Sequence, residues 1–132
     1  EIIKSYNDPR IRLIFEEDCG SAQAYNRGFR EAKGEFVFIH DPDDVSHPER
    51  FEKQLNCMIE NDIDICGSYF NIIDEGGNKL VEVQPPLSND EITKSFYYDV
   101  THLYNPTLCL KREIFNIFGY FDQKYSPSFD LE

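Results

Sequence analysis

The segment FVFIHDPDDVSHP, residues 36–48, restricts the fold of this chain more than any other. Four consecutive apolar residues are followed almost at once by Asp41, Asp43 and Asp44. An uninterrupted apolar run is typical of a strand that is covered on both faces, as in α/β proteins. Carboxylates this close together repel one another unless a positive partner lies between them. The segment therefore predicts a buried strand over 35–40 that ends in a cluster of acidic side chains.

Strand-like and helix-like periodicity alternate on both sides of this segment. The predicted strands cover 11–15, 35–40, 62–74, 79–84 and 106–111, and the predicted helices cover 22–32, 46–59, a short segment from 88, and 112–119. Residues 75–78 (EGGN) predict a hairpin turn between the third and fourth strands. This order indicates a single α/β domain over residues 1–132, with a mostly parallel sheet and an antiparallel hairpin in its second half.

Local motifs predict where several helices begin and end. Ser46-x-x-Glu49 and Ser88-x-x-Glu91 both fit the capping box that opens a helix. Gly34 and Gly119 are placed to end the first and last helices.

The composition excludes several classes of protein. Eleven Phe and eight Tyr in 132 residues predict a packed core, and a formal net charge of −12 argues against nucleic acid as a partner. The four cysteines form no C-x-x-C pair, which favours reduced thiols and a cytoplasmic protein. The chain does not begin with Met and starts within a structural pattern, so we expect it to be part of a longer protein.

Three carboxylates after a strand are typical ligands of a hard cation. Ligands bind beyond the carboxyl ends of strands in open α/β sheets, and Mg²⁺ or Mn²⁺ prefers oxygen ligands that include substrate phosphates. Asp41, Asp43 and Asp44 are thus candidates to hold a divalent metal and, through it, a diphosphate. The metal would supply the positive charge that an acidic protein needs to bind an anionic substrate.

Other interpretations of the same residues need no such site. Aspartates favour turns and helix starts, where Asp43 and Asp44 would accept backbone hydrogen bonds. An EF-hand loop matches at Asp41, Asp43 and Glu52, but it fails at the intervening positions. His40 and His47 flank the cluster and are weaker candidate ligands, because His40 would face away from Asp41 on a continuing strand.

The longer run DCGSAQAYNRGFREAKGEFVFIHDPDDVSHPERFEKQL, residues 18–55, resembles the family-two glycosyltransferases of the GT-A fold. The residues that match the family pattern at the expected spacing are Gly20, Asn26, Gly28, Ala32, Gly34, Glu35, Asp41, Asp43, Asp44 and Pro48. The resemblance continues through 104–122 and reaches 127–132 (PSFDLE). Tyr25 stands where the family usually has Arg, Asp18 where it has Asn, and Phe129 where it has an acid.

This resemblance implies an inverting, metal-dependent transfer of a sugar from a nucleotide-diphosphate donor to a saccharide or lipid-linked saccharide acceptor. Asp41 and Asp43 would bind the ribose and the metal-bound diphosphate, with Mn²⁺ or Mg²⁺ as cofactor and Asp43 as the preferred direct ligand. Asp44 and Asn26 complete the predicted substrate-binding set, although Asn26 and Gly28 also suit structural roles in loop bonding and close packing. Asp130 would be the catalytic base, with Glu132 as a second acid.

The resemblance also predicts the surroundings of the domain. The fold would be a three-layer GT-A sandwich that lacks its first strand–helix–strand segment, leaving a sheet edge through which copies could associate. The full-length protein would act in surface polysaccharide biosynthesis, in the cytoplasm or at the inner face of the membrane. A non-catalytic GT-A-like scaffold domain and a nucleotidyltransferase are the alternatives.

Overall fold

A computed structural model describes residues 2–15, 20–98, 102–122 and 124 of the chain. Two 3-10 turns lie at Ile3–Ser5 and Asn105–Thr107. The helices are α1 (Ser21–Glu31), α2 (Arg50–Asn61), α3 (Asn89–Phe96) and α4 (Ile114–Phe118), and the strands are β1 (Phe36–Phe38), β2 (Ile65–Cys66), β3 (Phe70–Ile73), β4 (Lys79–Val83) and β5 (Cys109–Lys111). The α/β class predicted from the sequence is confirmed.

The strand pairing differs from the prediction. One sheet has the order β1-β5-β2, and the second is the hairpin of β3 with β4. Every pairing between described strands is antiparallel, so the expectation of a mostly parallel sheet is wrong for this part of the chain. β1 and β2 do run in the same direction, as a strand–helix–strand unit requires, but β5 lies between them. An apolar run reports that both faces are covered and does not report the direction of the neighbouring strand.

Helices cover both faces of the three-stranded sheet. Val37 packs against a cluster formed by Phe29, Ile39, Leu108 and Leu110, which joins α1 to the sheet. The next residue, Phe38, points to the opposite face, where its ring lies 4.5 Å from that of Phe51 in α2. This alternation follows from the period of two along a strand.

Two predicted strands take other forms. Residues 11–15 belong to no strand; instead, the Arg12 guanidinium donates to the Glu31 carboxylate (2.6 Å) and backbone oxygen (3.0 Å) at the end of α1. The predicted strand 62–74 divides into β2, which pairs with β5, and β3, which pairs with β4. Apolar patterns favour extended backbone, but a strand also needs a neighbouring backbone to pair with, and that neighbour changes within 62–74.

Three of the predictions made from local motifs are confirmed. The hairpin turn forms after β3, where the Asp74 carboxylate accepts bonds from the backbone N–H groups of Gly76 and Asn78, both at 2.9 Å. Ser88 caps α3 by accepting the Glu91 N–H at 3.3 Å. Gly119 ends α4 with a φ of 84°, a conformation that favours glycine.

The motifs are wrong in two places. α1 ends at Glu31, before Gly34. The predicted capping box at Ser46 does not form, because α2 begins only at Arg50 and the Ser46 hydroxyl accepts a bond from the Arg50 guanidinium at 3.0 Å.

Arg50 and Gln54, one turn apart in α2, connect the elements around the sheet. The Arg50 guanidinium donates to the Ile39 carbonyl (3.0 Å) and to the Gln54 side-chain oxygen (2.9 Å). The Gln54 amide nitrogen in turn donates to the carbonyls of Cys66 (3.0 Å) and Thr107 (2.8 Å). Gln54 is only 5% exposed, so these bonds lie where water cannot easily replace them.

The described cysteines are free thiols, and Cys19 lies outside the described residues. Burial raises the pKa of the Cys109 thiol to about 11, so this thiol stays protonated at neutral pH. Among the described helices, none is long and apolar enough to cross a membrane.

We predict that Gln54→Met lowers the free energy of unfolding by at least about 3 kcal/mol. Methionine keeps the volume but leaves two carbonyls and one guanidinium N–H without their partner, each at a cost of about 1–3 kcal/mol when water is excluded. Denaturant unfolding of the protein measures the loss. Gln84→Met is the matched control, since Gln84 is exposed at the end of the hairpin; equal effects of both changes would contradict the prediction.

Candidate functional site

An open cleft of about 620 Å³ lies between α1 and the end of β1. Helix α1 contributes Ser21, Ala24, Tyr25 and Gly28, whose spacing of three or four residues places them on one helical face. The strand side runs from Val37 to Asp41, so the cleft extends to the first of the three aspartates. A concave surface with a carboxylate at its end suits a ligand that has both an apolar and a polar part.

The aspartates belong to a tight turn, residues 41–44, which we call the acidic turn. The Asp44 N–H donates to the Asp41 carbonyl at 3.2 Å, with Pro42 in the second position, which its fixed φ favours. Asp41 is half-buried, whereas Asp43 and Asp44 are exposed. The turn interpretation is therefore correct for the backbone, and it leaves the exposed Asp43 carboxylate available to a ligand.

The helix-start interpretation of the same aspartates is wrong. α2 begins at Arg50, six residues after Asp44, so neither Asp43 nor Asp44 lies at its N-terminus. Within the described residues, no group of three or more His, Cys, Asp or Glu side chains is arranged to hold a metal. Neither the EF-hand pattern with Glu52 nor a site of three aspartates forms there.

Tyr25 holds the one half-buried carboxylate of the acidic turn. Its hydroxyl donates to Asp41 Oδ1 at 2.8 Å across the cleft. No sequence pattern predicts this bond, because Tyr25 and Asp41 lie on different elements, sixteen positions apart.

Arg50 is a positively charged residue that contacts the chain on both sides of the acidic turn. Its guanidinium donates to the backbone carbonyl of Ile39 before the acidic turn and to the side-chain hydroxyl of Ser46 after it. Burial lowers the pKa of the Arg50 guanidinium, while the charge of Asp44 acts in the opposite direction. Sequence reasoning missed Arg50 and Gln54, although an Arg and a Gln four residues apart on a helix could have suggested a side-chain pair.

The histidines contact other groups. His40 Nδ1 lies 3.3 Å from the Ser46 hydroxyl, and His47 Nδ1 accepts the Glu49 N–H at 3.2 Å. β1 ends at Phe38, so the strand does not continue to turn His40 away from Asp41. His40 and Asp41 both line the cleft.

Asn26 and Gly28 occupy different environments. Asn26 is 3% exposed, and its amide donates to the Phe121 carbonyl (2.8 Å) and accepts the Phe121 N–H (3.0 Å). This supports the loop-bonding interpretation rather than contact with a substrate. The close packing expected at Gly28 is wrong for the described residues, since a Cβ built there has no atom within 4 Å.

The predicted base Asp130 and the second acid Glu132 lie outside the described residues. Asp18 and Phe129, two of the departures from the family pattern, do so as well. The structure therefore brings together Tyr25, Asp41 and the exposed Asp43, and it leaves the catalytic position a prediction.

We predict that Asn26→Asp lowers the free energy of unfolding at pH 7 by about 2–4 kcal/mol, since a buried carboxylate would face the Phe121 carbonyl. Burial would raise the folded-state pKa of the new carboxyl above its unfolded value of about 3.9. The penalty is therefore full above that raised pKa and disappears as the pH falls below about 4.

Denaturant unfolding at several pH values measures this difference from the wild type. Asn116→Asp is the control, because it adds the same charge at an exposed position in α4. A penalty at Asn26 that does not change with pH would contradict the buried-carboxylate explanation.

Comparison with known proteins finds glycosyltransferases both as the matching family and as the relatives. The model of glycosyl transferase family 2 matches residues 1–118. The chain is 33% identical over 136 aligned positions to an uncharacterised glycosyltransferase of Methanocaldococcus jannaschii, covering 100% of the chain and 47% of that protein. It is 29% identical to an uncharacterised glycosyltransferase of Rickettsia typhi, covering 98% of the chain and 43% of the relative.

A third relative has a more specific name. The O-antigen biosynthesis glycosyltransferase WbnJ of Escherichia coli is 30% identical over 107 positions, covering 81% of the chain and 41% of that protein. The chain thus spans less than half the length of these curated relatives. No solved structure matches it significantly.

Proposed function

The chain belongs to glycosyl transferase family 2, and from this premise we propose that the whole protein transfers a sugar from a nucleotide-diphosphate donor to an acceptor hydroxyl with inversion. The observation that carries the proposal is the acidic turn at the end of β1, beside a cleft large enough for a nucleoside. The cleft would take the apolar base and ribose, and the turn would take the charged end of the donor.

Asp41 and Asp43 are the residues that we assign to the donor and its metal. Members of this family commonly depend on a divalent metal. The carboxylates offer only oxygen atoms, which is the donor set that Mg²⁺ and Mn²⁺ prefer, and such ions take few protein ligands when substrate phosphates and water supply the rest. Asp43 is exposed and would be the direct ligand, while Asp41 would bind the ribose or assist at the metal. Asp44 would play a supporting role.

The metal, when bound, would neutralise the diphosphate as the bond to the sugar breaks. The protein itself contributes orientation and charge. Its formal net charge of −12 repels an anionic donor in general, so binding would depend on the metal at this one place.

The acceptor side is assigned from the resemblance of residues 127–132. Asp130 would take the proton of the acceptor hydroxyl, with a saccharide or lipid-linked saccharide as acceptor. The E. coli relative named for O-antigen biosynthesis supports surface polysaccharide as the product. We place this reaction in the cytoplasm, with the full-length protein at the inner face of the membrane.

A non-catalytic binding domain is the main alternative. It would bind nucleotide but would not transfer sugar, so donor binding and turnover have to be measured separately.

We predict that Asp43→Asn weakens Mn²⁺-dependent binding of a nucleoside diphosphate by at least about tenfold, because loss of even an outer-sphere group commonly costs 10–100-fold in metal affinity. Titration calorimetry of the full-length protein with Mn²⁺ and UDP, GDP or dTDP measures the change. Asp90→Asn removes the same charge from an exposed position in α3 and should leave binding unchanged. Equal affinities of wild type and Asp43→Asn would move the metal site elsewhere.

We predict that Asp130→Asn lowers kcat by about 10²–10⁴-fold and leaves donor affinity nearly unchanged, because general-base assistance is worth about that factor and the donor is held at the acidic turn. Steady-state kinetics of the full-length protein tests this. Glu132→Gln is the matched variant: if it loses kcat while Asp130→Asn does not, the base is Glu132 and our assignment is wrong.

A further inference from the structure

The side chain of Tyr25 connects the two walls of the cleft. Its hydroxyl donates to Asp41 Oδ1 at 2.8 Å, from the helix to the acidic turn. Asp41 is half-buried, so this bond is less exposed to competition from water than a bond to Asp43 or Asp44 would be.

The ring of Tyr25 is held by its neighbours on α1 and beyond. It stacks with Phe29 at a centroid distance of 6.1 Å and meets Phe121 edge-on at 6.3 Å. Asn26, the next residue, fixes Phe121 by two hydrogen bonds to its backbone. The hydroxyl of Tyr25 is therefore presented from a packed ring with few alternative positions, which makes it a precise anchor for the carboxylate.

We propose that Tyr25 is a positioning residue for donor binding, which orients the Asp41 carboxylate by engaging Oδ1 and thereby directs Oδ2 toward the ligand. This inference rests on the proposed function, in which Asp41 contacts the donor or its metal. Tyr25 itself need not touch the donor.

The chemistry of the anchor matters as much as its position. A phenol is uncharged at neutral pH, so its hydrogen bond orients the carboxylate and leaves the negative charge in place. A lysine or arginine at the same distance would form an ion pair and compete with a cation for the carboxylate. The tyrosine thus gives Asp41 a fixed direction while preserving its attraction for a metal-bound diphosphate.

A double-mutant cycle in the full-length protein tests the proposal. The variants are Tyr25→Phe, Asp41→Ala and the two combined, and the measurement is the affinity for UDP, GDP and dTDP in the presence of Mn²⁺. Tyr25→Phe removes only the hydroxyl, and we expect it to weaken binding by about 3–10-fold, the range of one hydrogen bond. In the Asp41→Ala background the same change should have no effect, because the carboxylate that it orients is gone.

Two controls separate orientation from folding. Tyr97→Phe removes the same atom from a side chain in a residue that is 83% exposed, and it should leave the affinity unchanged. Thermal unfolding of Tyr25→Phe should remain cooperative, since the ring contacts with Phe29 and Phe121 persist.

The outcomes distinguish this inference from the proposed function. If Asp41→Ala weakens binding but Tyr25→Phe does not, or if the two effects are independent, the role of Tyr25 is overturned and the donor site stands. If the wild type binds none of the three nucleotides with Mn²⁺, both proposals are overturned together.

Discussion

The hydrogen bond between the half-buried Arg50 and the buried Gln54 is the interaction on which the candidate site depends. One guanidinium and one amide join α2 to the end of β1, to β2 and to the turn before β5. The three-stranded sheet is short, with two or three residues in each strand, so its backbone ladder alone fixes the strand ends poorly. Side-chain bonds to the backbone carbonyls of Ile39, Cys66 and Thr107 supply the missing constraint. Because Ile39 lies two residues before Asp41, this pair also sets where the acidic turn begins.

Two anchors of different charge hold the acidic turn. Arg50 binds the backbone on one side and the Ser46 hydroxyl on the other, while Tyr25 binds the carboxylate of Asp41 itself. The positive Arg50 thus supports the shape of the loop, and the neutral Tyr25 holds the Asp41 carboxylate. An arginine bound directly to a carboxylate would have cancelled much of the charge that a cation needs. In this arrangement Asp41 is half-buried and held by Tyr25, and the Asp43 and Asp44 side chains are exposed.

The sequence predicted those parts of the fold that depend on local chemistry. The helical face of α1, the hairpin after β3 and the cap at Ser88 follow from periodicity and from short-range hydrogen bonds, and all three are present. The prediction of a strand over residues 11–15 was wrong, because an apolar pattern cannot show whether a partner strand exists. The prediction of a capping box at Ser46 was wrong for a related reason. The Ser46 hydroxyl accepts a bond from the Arg50 guanidinium, one turn later, and a sequence motif does not show which of several possible donors the hydroxyl will bind.

In the candidate site, too, the features that depend on local spacing were predicted and those that depend on packing were not. The three aspartates were visible in the sequence because their spacing is local, and the structure places them in one turn. Tyr25 was visible only as a departure from a family pattern, since its bond to Asp41 depends on how α1 lies across β1. The prediction that His40 points away from the cluster assumed a strand that continued past Phe38, whereas the strand ends there. A motif therefore identifies which side chains can bind a ligand, and the packing of a helix against a strand decides which of them is oriented to do so. In this protein the Asp41 carboxylate is held by Tyr25, a residue that departs from the family pattern.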